Sequence, residues 1–326
     1  MNRLPRIMRK KPDYRAAYNG SEWSRVVCGQ NPLKLFPLKD TPLLVAGFFL
    51  ILGFLLPFLG GCSSPDPEGD FPILEDISTP ENTTTPPPLD WWHPTAGLTW
   101  QWQLGGGKLD FDLQVDVWDI DLGVHKSVVD KLHSLDAKVI CYISVGSYEN
   151  WRTDADQFPE EVLGNKYEGW SGERWLDIRR MDLLAPIMLA RLDDCAAKGF
   201  DGVEPDNMQI WDNDTGFPLT YEDQLRYAHW LADEAHNRGL AIGQKNAPDQ
   251  TKDLVDVYDF AITEDAFYYN WAEEMQPYIQ AGKPVFAAEY TDLPGDFDEY
   301  CRRSQELGFS TILKHRDLDG WLETCP

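Results

Sequence analysis

Positive charge is scarce over most of this 326-residue chain. Residues 1–40 hold nine Lys or Arg against Asp13, Glu22 and Asp40, which leaves 20 basic and 51 acidic residues for all later positions. A surface so poor in cations has little with which to neutralise phosphates, so no nucleic-acid partner is expected and a cationic or neutral one is. The sequence also lacks Gly-x-Gly-x-x-Gly, a P-loop, His-Glu-x-x-His and Cys-x-x-Cys, the signatures of dinucleotides, nucleoside triphosphates and zinc. Its six histidines do not cluster. No cofactor is expected and no metal is assigned, although carboxylates alone can hold a divalent ion through oxygen.

Long apolar runs are rare too, with one exception. Pro42 to Leu59 is uncharged and apolar, and as a helix it would span about 27 Å, close to a bilayer's hydrocarbon core. The basic excess precedes it, so the positive-inside rule predicts a cytoplasmic N-terminus and an external C-terminal part. This gives a single-pass type II cell-membrane protein: a basic tail over 1–41, a signal anchor over 42–60, a stalk over 61–90 and an extracellular domain over 91–326. A cleaved signal peptide competes, but its basic region is normally short. Leu59-Gly60-Gly61-Cys62 resembles a lipoprotein cleavage box, which leaves lipidation of Cys62 open. The stalk is rich in Pro, Ser, Thr and acids and lacks apolar periodicity, a composition that stays extended. Asn82 and Asn213 each begin a glycosylation sequon.

From residue 91 onward, apolar strand-like runs alternate with amphipathic helical ones. Strands are expected at Thr99 to Leu104, Val115 to Asp121, Lys138 to Ser144, Phe200 to Asn207, Leu240 to Asn246, Asp259 to Asp265, Pro284 to Tyr290 and Phe309 to His315. Helices are clearest at Lys126 to Leu135, Leu183 to Lys198, Tyr221 to Arg238, Trp271 to Ala281 and Phe297 to Leu307, several of them ending at glycine. Eight β-α units predict a (β/α)8 TIM barrel in the α/β class, expected to be monomeric. The first crossover, Gly105 to Gln114, is short for a helix. Cys141 with Cys195 and Cys301 with Cys325 is the favoured disulfide pairing, since each pair would join neighbouring elements.

Active sites in such barrels are built at the C-terminal strand ends, and here those ends carry reactive side chains. Strand alternation puts Gly202, Glu204 and Asp206 on one face, and Phe260, Ile262 and Glu264 likewise. Asp206 and Glu264 would lie two strands apart, about 9–10 Å between backbones. Inward-leaning side chains would approach the roughly 5–5.5 Å of a retaining glycosidase, with the wider inverting gap left open. Asp265 and the run Phe267-Tyr268-Tyr269 would raise the proton affinity of Glu264 and suit it to act as the acid. Asp206, with Asn207 as a neighbouring donor, would be the nucleophile. Glu204 is a candidate for orienting Asp206 or binding a substrate amine. Asp119, Tyr142, Lys245, Asn246, Glu289 and Tyr290 complete the rim, and Trp100, Trp118 and Trp211 are the tryptophans expected to stack on sugar rings.

Trp100-Gln101-Trp102-Gln103-Leu104, the run from Cys141 to Glu149, Asp201-Gly202-Val203-Glu204-Pro205-Asp206-Asn207, Gly243-Gln244-Lys245-Asn246 and Ala288-Glu289-Tyr290 together resemble glycoside hydrolase family 114, the endo-α-1,4-polygalactosaminidases. The resemblance covers about residues 91–326. It implies endo cleavage of an α-1,4-linked galactosamine polymer by a catalytic Asp and Glu, mapped onto Asp206 and Glu264, in the manner of membrane-anchored fungal members. A chitinase-like barrel is the alternative, because Asp201 to Asp206 resembles the family 18 signature; Met208, however, stands where that signature needs its acid. A catalytically inactive, carbohydrate-binding barrel is the third possibility.

Overall fold

The computed structural model describes residues 90–105 and 107–326. The tail, the anchor, Cys62, Asn82 and all but the last stalk residue lie outside the described residues. No helix among those described is long and apolar enough to cross a membrane.

The chain opens with β1 (Trp100–Gln103), β2 (Val117–Asp121), α1 (Lys126–His133) and β3 (Lys138–Ser144). Three short strands follow, β4 (Ser147–Glu149), β5 (Leu163–Lys166) and β6 (Glu173–Leu176), and then α2 (Met181–Lys198). After these come β7 (Gly202–Asp206), α3 (Tyr221–His236), β8 (Ala241–Lys245), α4 (Thr251–Leu254), β9 (Phe260–Glu264) and α5 (Gln276–Gln280). The chain closes with β10 (Val285–Tyr290), α6 (Phe297–Leu307), β11 (Ser310–Lys314) and β12 (Leu322–Thr324).

Nine strands form one sheet in the order β1-β2-β3-β7-β8-β9-β10-β11-β12, and every neighbouring pair is parallel except β11 with β12. The sheet is a near-closed (β/α)-type barrel. Across its seam the Trp100 indole donates to Ser310 O at 2.9 Å, and Lys314 Nζ donates to Gln101 Oε1 at 2.7 Å. All eight expected strands are present. The helical layer is thinner than expected: the described part of the β1–β2 crossover has no helix, and the Trp271 to Ala281 stretch is a 3-10 turn, Ala272–Met275, running into α5. Among the described residues six helices therefore surround the eight parallel strands. The small antiparallel sheet β4-β6-β5, standing between β3 and α2, was not foreseen.

Local chemistry explains the helix ends. Thr220 and Asp223 make a reciprocal capping box at the start of α3. Gly199 and Gly308 close α2 and α6 with left-handed φ values of 86° and 77°, which a Cβ would strain.

Alternation along the strands divides the core. Trp118, Ile120, Cys141, Val203, Val285 and Ala287 face the helices, while Trp100, Val117, Ile140, Ala241, Phe260, Phe286 and Ile312 fill the lower barrel. Gly243 sits among these large rings, and a Cβ there would lie 2.2 Å from Phe260. Trp118 therefore cannot meet a sugar: its outward parity buries it under helices. Trp100 points inward but in the lowest layer, 1% exposed, and it packs the barrel floor instead of a cleft. Trp91 and Trp92 lie by Asp259, Phe260 and His236, at the N-terminal end of β9 and away from the rim.

Cys141 on β3 is bonded to Cys195 on α2, and Cys301 on α6 to Cys325 just after β12. The second bond closes a sequence separation of 24 residues, and removing such a link typically costs about 2–4 kcal/mol through the unfolded state. The double substitution Cys301→Ser/Cys325→Ser should lower unfolding stability by that amount in urea titration, with a somewhat steeper slope because the unlinked unfolded chain exposes more surface. A loss below about 1 kcal/mol would show that α6 and β12 hold the edge without it.

Candidate active site

Moving up seven of the eight parallel strands, the inward side chains change from apolar to ionisable. Val117 gives way to Asp119, Ile140 to Tyr142, Gly202 to Glu204 and Asp206, Ala241 and Gly243 to Lys245, Ile262 to Glu264, Ala288 to Tyr290 and Ile312 to Lys314. The C-terminal mouth therefore collects charge over a greasy base.

Lys245 stands at its centre, 2% exposed. Its Nζ lies 2.5 Å from Glu204 Oε1, 3.2 Å from Asp206 Oδ1 and 3.4 Å from Glu264 Oε2, and 4.3 Å from the centre of the Trp102 ring. Burial works against the ammonium, but Asp206, Glu204 and Glu264 outweigh it and drive its pKa well above the usual 10.5. Lys245 is a permanent cation shared by three carboxylates.

Each rim carboxylate has a second holder. Tyr142 Oη donates to Asp206 Oδ2 at 2.9 Å, and Tyr290 Oη donates to Glu264 Oε1 at 2.6 Å. Burial first, then the adjacent carboxylate, pushes both phenols well above 10, so each remains a donor. An arginine covers each tyrosine ring: Arg152 at 5.8 Å from Tyr142, Arg316 at 3.6 Å from Tyr290. Arg152 is paired with Glu149 and Asp121, Arg316 with Asp265 and Asp292. Asn246, at a φ of 46°, accepts from Glu264 N at 2.9 Å and reaches Glu264 Oε2 at 3.5 Å.

Beneath this layer, Asp119 and Glu204 are wholly buried, and Asp119 Oδ1, Asp119 Oδ2 and Glu204 Oε2 have no donor as ionised groups. A proton on Asp119, shared with Glu204, removes the conflict. Burial and the Glu204 charge push Asp119 well above 3.8, while burial, opposed by Lys245, moves Glu204 up to about 7.

Sequence expectations meet this geometry unevenly. Asp206, Glu264, Tyr142, Tyr290, Lys245 and Asn246 come together at the mouth. Glu204 and Asp119 belong to the layer below, too buried to touch a substrate amine. Asn207 points elsewhere: its Nδ2 donates to Ser144 Oγ and Ser147 Oγ, both at 3.0 Å, so Tyr142 and Lys245 are the donors to Asp206. Glu289 has the outward parity of β10 and accepts from Phe267 N and Tyr268 N, anchoring the loop after β9. Phe267 packs on Tyr300 behind that loop, and Asp265 is paired with Arg316. Trp211 is half-buried on the loop after β7, edge-on to Tyr221. Asn213 is exposed on the same loop. Trp102, Arg152 and Arg316 are not among the site residues expected from the sequence. For Trp102 the signal was available, since it shares Trp100's parity one layer nearer the mouth.

A metal would need an open cluster of oxygen ligands. The carboxylates at the mouth are already bridged by Lys245, whose charge occupies the position a cation would take. His315, Asp317 and Asp319 bring ligand atoms together elsewhere on the rim.

Residues 81–326 match the profile of glycoside-hydrolase family GH114. Among solved structures, the chain is similar to Aspergillus fumigatus Ega3 in complex with galactosamine, with 37% identity and a TM-score of 0.69, covering 72% of this chain and 98% of that one. The glycoside hydrolase domain of PelA from Pseudomonas aeruginosa is 15% identical with a TM-score of 0.57, over 70% of this chain and 99% of that one, a likeness of fold alone. A Deinococcus radiodurans protein is 27% identical over 203 residues, 56% of this chain; the chain spans 65% of that relative's length.

The buried acids predict how stability depends on pH. Burial moves Glu289 up to about 8, Glu204 to about 7 and Asp265 to about 6. Acids with raised folded values bind more protons folded than unfolded, so their contribution is full below about 4.5 and lost as pH rises toward about 8. The thermal midpoint should therefore fall between pH 5 and pH 8, and Glu289→Gln should flatten the slope. A midpoint that rises across this window would contradict the assignment.

Proposed function

This chain belongs to glycoside-hydrolase family GH114, and we propose that it cleaves α-1,4-linked galactosamine polymers, galactosaminogalactan, internally with Asp206 and Glu264. The observation that carries the proposal is the pair of mouth carboxylates held on one buried ammonium, each with a tyrosine donor. Glycoside hydrolysis needs two such groups flanking the scissile bond. The similarity to a protein solved with galactosamine supports an amino sugar, as does an acidic surface suited to a cationic polymer.

Asp206 is the nucleophile. It lies nearer the ammonium and is the less exposed of the two, with 18% side-chain exposure against 26% for Glu264. Its oxygen forms a bond to the anomeric carbon as the glycosidic bond breaks, and a proton from Glu264 goes to the departing oxygen. Glu264 then takes a proton from water, which attacks the same carbon and releases Asp206. The distances of 3.2 Å and 3.4 Å to one Nζ cap the gap between the nearest carboxylate oxygens at their sum. That limit is at the lower edge of the roughly 6.5–9.5 Å inverting range, which supports retention.

We also read the eight parallel strands as a (β/α)8 barrel held outside the cell by an anchor at 42–60 and a stalk at 61–90. The apolar run and the basic excess before it support this.

Full-length protein incubated with purified galactosaminogalactan should release oligosaccharides, and NMR of fresh product should show the α anomer. Asp206→Asn and Glu264→Gln should each lower turnover by roughly 10²–10⁴-fold or more with polymer binding kept. Release from chitin in place of galactosaminogalactan would favour the chitinase-like alternative. Turnover near the parent's in either variant would remove that residue from the chemistry.

A further inference from the structure

Large apolar side chains are exposed at three places among the described residues: Trp151 at 51%, Trp170 at 47% and Trp321 at 38%. All three sit on connections at the C-terminal end of the barrel. An indole left in water forgoes a large burial gain, so three on one rim call for an occupant.

Their placement follows the strand order. Side chains in the mouth run along adjacent strands as Tyr142 on β3, Asp206 on β7, Lys245 on β8, Glu264 on β9 and Tyr290 on β10, with Lys314 on β11. Trp151 lies at the β3 end of this arc. The next residue, Arg152, sits over Tyr142, whose hydroxyl holds Asp206. Trp170 is at the tip of the β5–β6 hairpin beside it: β4 pairs with β6 through Glu149 and Glu173, and Asn150 N donates to Gly172 O at 3.2 Å. Trp321 lies at the other end, its ring stacked on His315 at 4.4 Å and 14°. Arg316, the residue after His315, sits over Tyr290, whose hydroxyl holds Glu264.

Polar contacts hold the backbone of Trp321 and the side chain of Arg152, the neighbour of Trp151. Fully buried Lys314 donates to Trp321 O at 2.6 Å and Asp319 O at 2.8 Å, and Trp321 N donates to Asp319 Oδ1 at 3.0 Å. Desolvation pulls that lysine down to about 8, a cost accepted to fix the backbone under one exposed ring. On the other side, Arg152 makes a bidentate bond to Glu149, at 2.7 and 3.2 Å, and a further bond to Asp121. The Trp321 ring, stacked on His315 over a held backbone, binds with little ordering cost.

We propose that Trp321 on one flank, and Trp151 with Trp170 on the other, are stacking platforms for sugar units of the polymer on either side of the scissile bond. The inference rests on the hydrolase reading above and extends it to the ends of the cleft. A pyranose offers an apolar face to an indole, a protonated amine on the ring adds attraction to the π face, and the acidic barrel surface favours that charge. An enzyme that cuts within a chain must hold units on both sides of the cut, which the two flanks supply.

The test uses the full chain with Trp321→Ala and Trp151→Ala/Trp170→Ala, and the same positions changed to Tyr. Polymer binding is read by affinity electrophoresis in gels containing galactosaminogalactan, which needs no turnover, and KM and kcat are read on the same polymer. Each alanine variant should weaken binding and raise KM about tenfold, with kcat within about twofold and the melting midpoint unchanged; tyrosine should restore most of the loss. Alanine variants that bind the polymer like the parent would overturn the proposal. So would a concentration-dependent dimer in sedimentation that these substitutions abolish, since the rings would then be a contact between copies. A parent that binds polymer without cleaving it would sink the hydrolase reading while leaving the platforms open to measurement.

Discussion

The buried ammonium of Lys245 is the interaction on which the upper barrel depends. Glu204, Asp206 and Glu264 lie within 3.4 Å of it, close enough that without the cation they would repel one another in a poorly solvated mouth. One positive charge does not balance three carboxylates and Asp119 besides. The remainder is handled by a proton on Asp119 and two phenol donors. Buried ionic clusters contribute little to stability on their own. The apolar lower layer of Trp100, Phe260, Phe286 and Ile312 supplies the burial that lets the upper layer be charged. A single strand scaffold thus carries a packed base and a polar mouth, with the change occurring within two or three residues on every parallel strand but β1.

That division also explains what was legible from the sequence. Each strand is a short apolar run between turn residues, so all eight were readable, and alternation placed Asp206 and Glu264 inward on the same level. Where parity was set aside, the reading failed. Trp118 and Glu289 stand near strand ends but on outward positions, one under the helices and the other capping a loop. Height was the second missing coordinate: Trp100 has the right parity and the wrong layer, and Asp119 the right strand but a place beneath the mouth. The partners of Asp206 and Glu264 were out of reach for another reason. Tyr142 and Tyr290 donate across strands, and their arginines arrive from loops whose course depends on pairs such as Arg316 with Asp292.

The helical layer departs from a regular repeat where the site needs other material. Between β3 and α2 the chain builds a small sheet, tied down by Ser147 Oγ donating to Glu173 and by Asn207 reaching Ser144 and Ser147. Gly146 permits that closeness, since a Cβ there would stand 1.8 Å from Asn207 O. Asn207, expected from its position to donate to the nucleophile, joins this sheet to the strand that carries Asp206. Its left-handed φ of 63° turns its side chain away from the mouth. Position next to a reactive residue in sequence was a poor guide to contact with it.

The most direct measurement of the central claim is the pH dependence of kcat/KM for Lys245→Met, a substitution that keeps most of the length of the side chain and removes its charge. If the ammonium holds the two mouth carboxylates, its loss raises their affinity for protons, and the acidic limb of the profile should move to higher pH by about one unit or more. A variant with reduced activity but an unmoved acidic limb would show that Lys245 only fills space beneath Asp206 and Glu264.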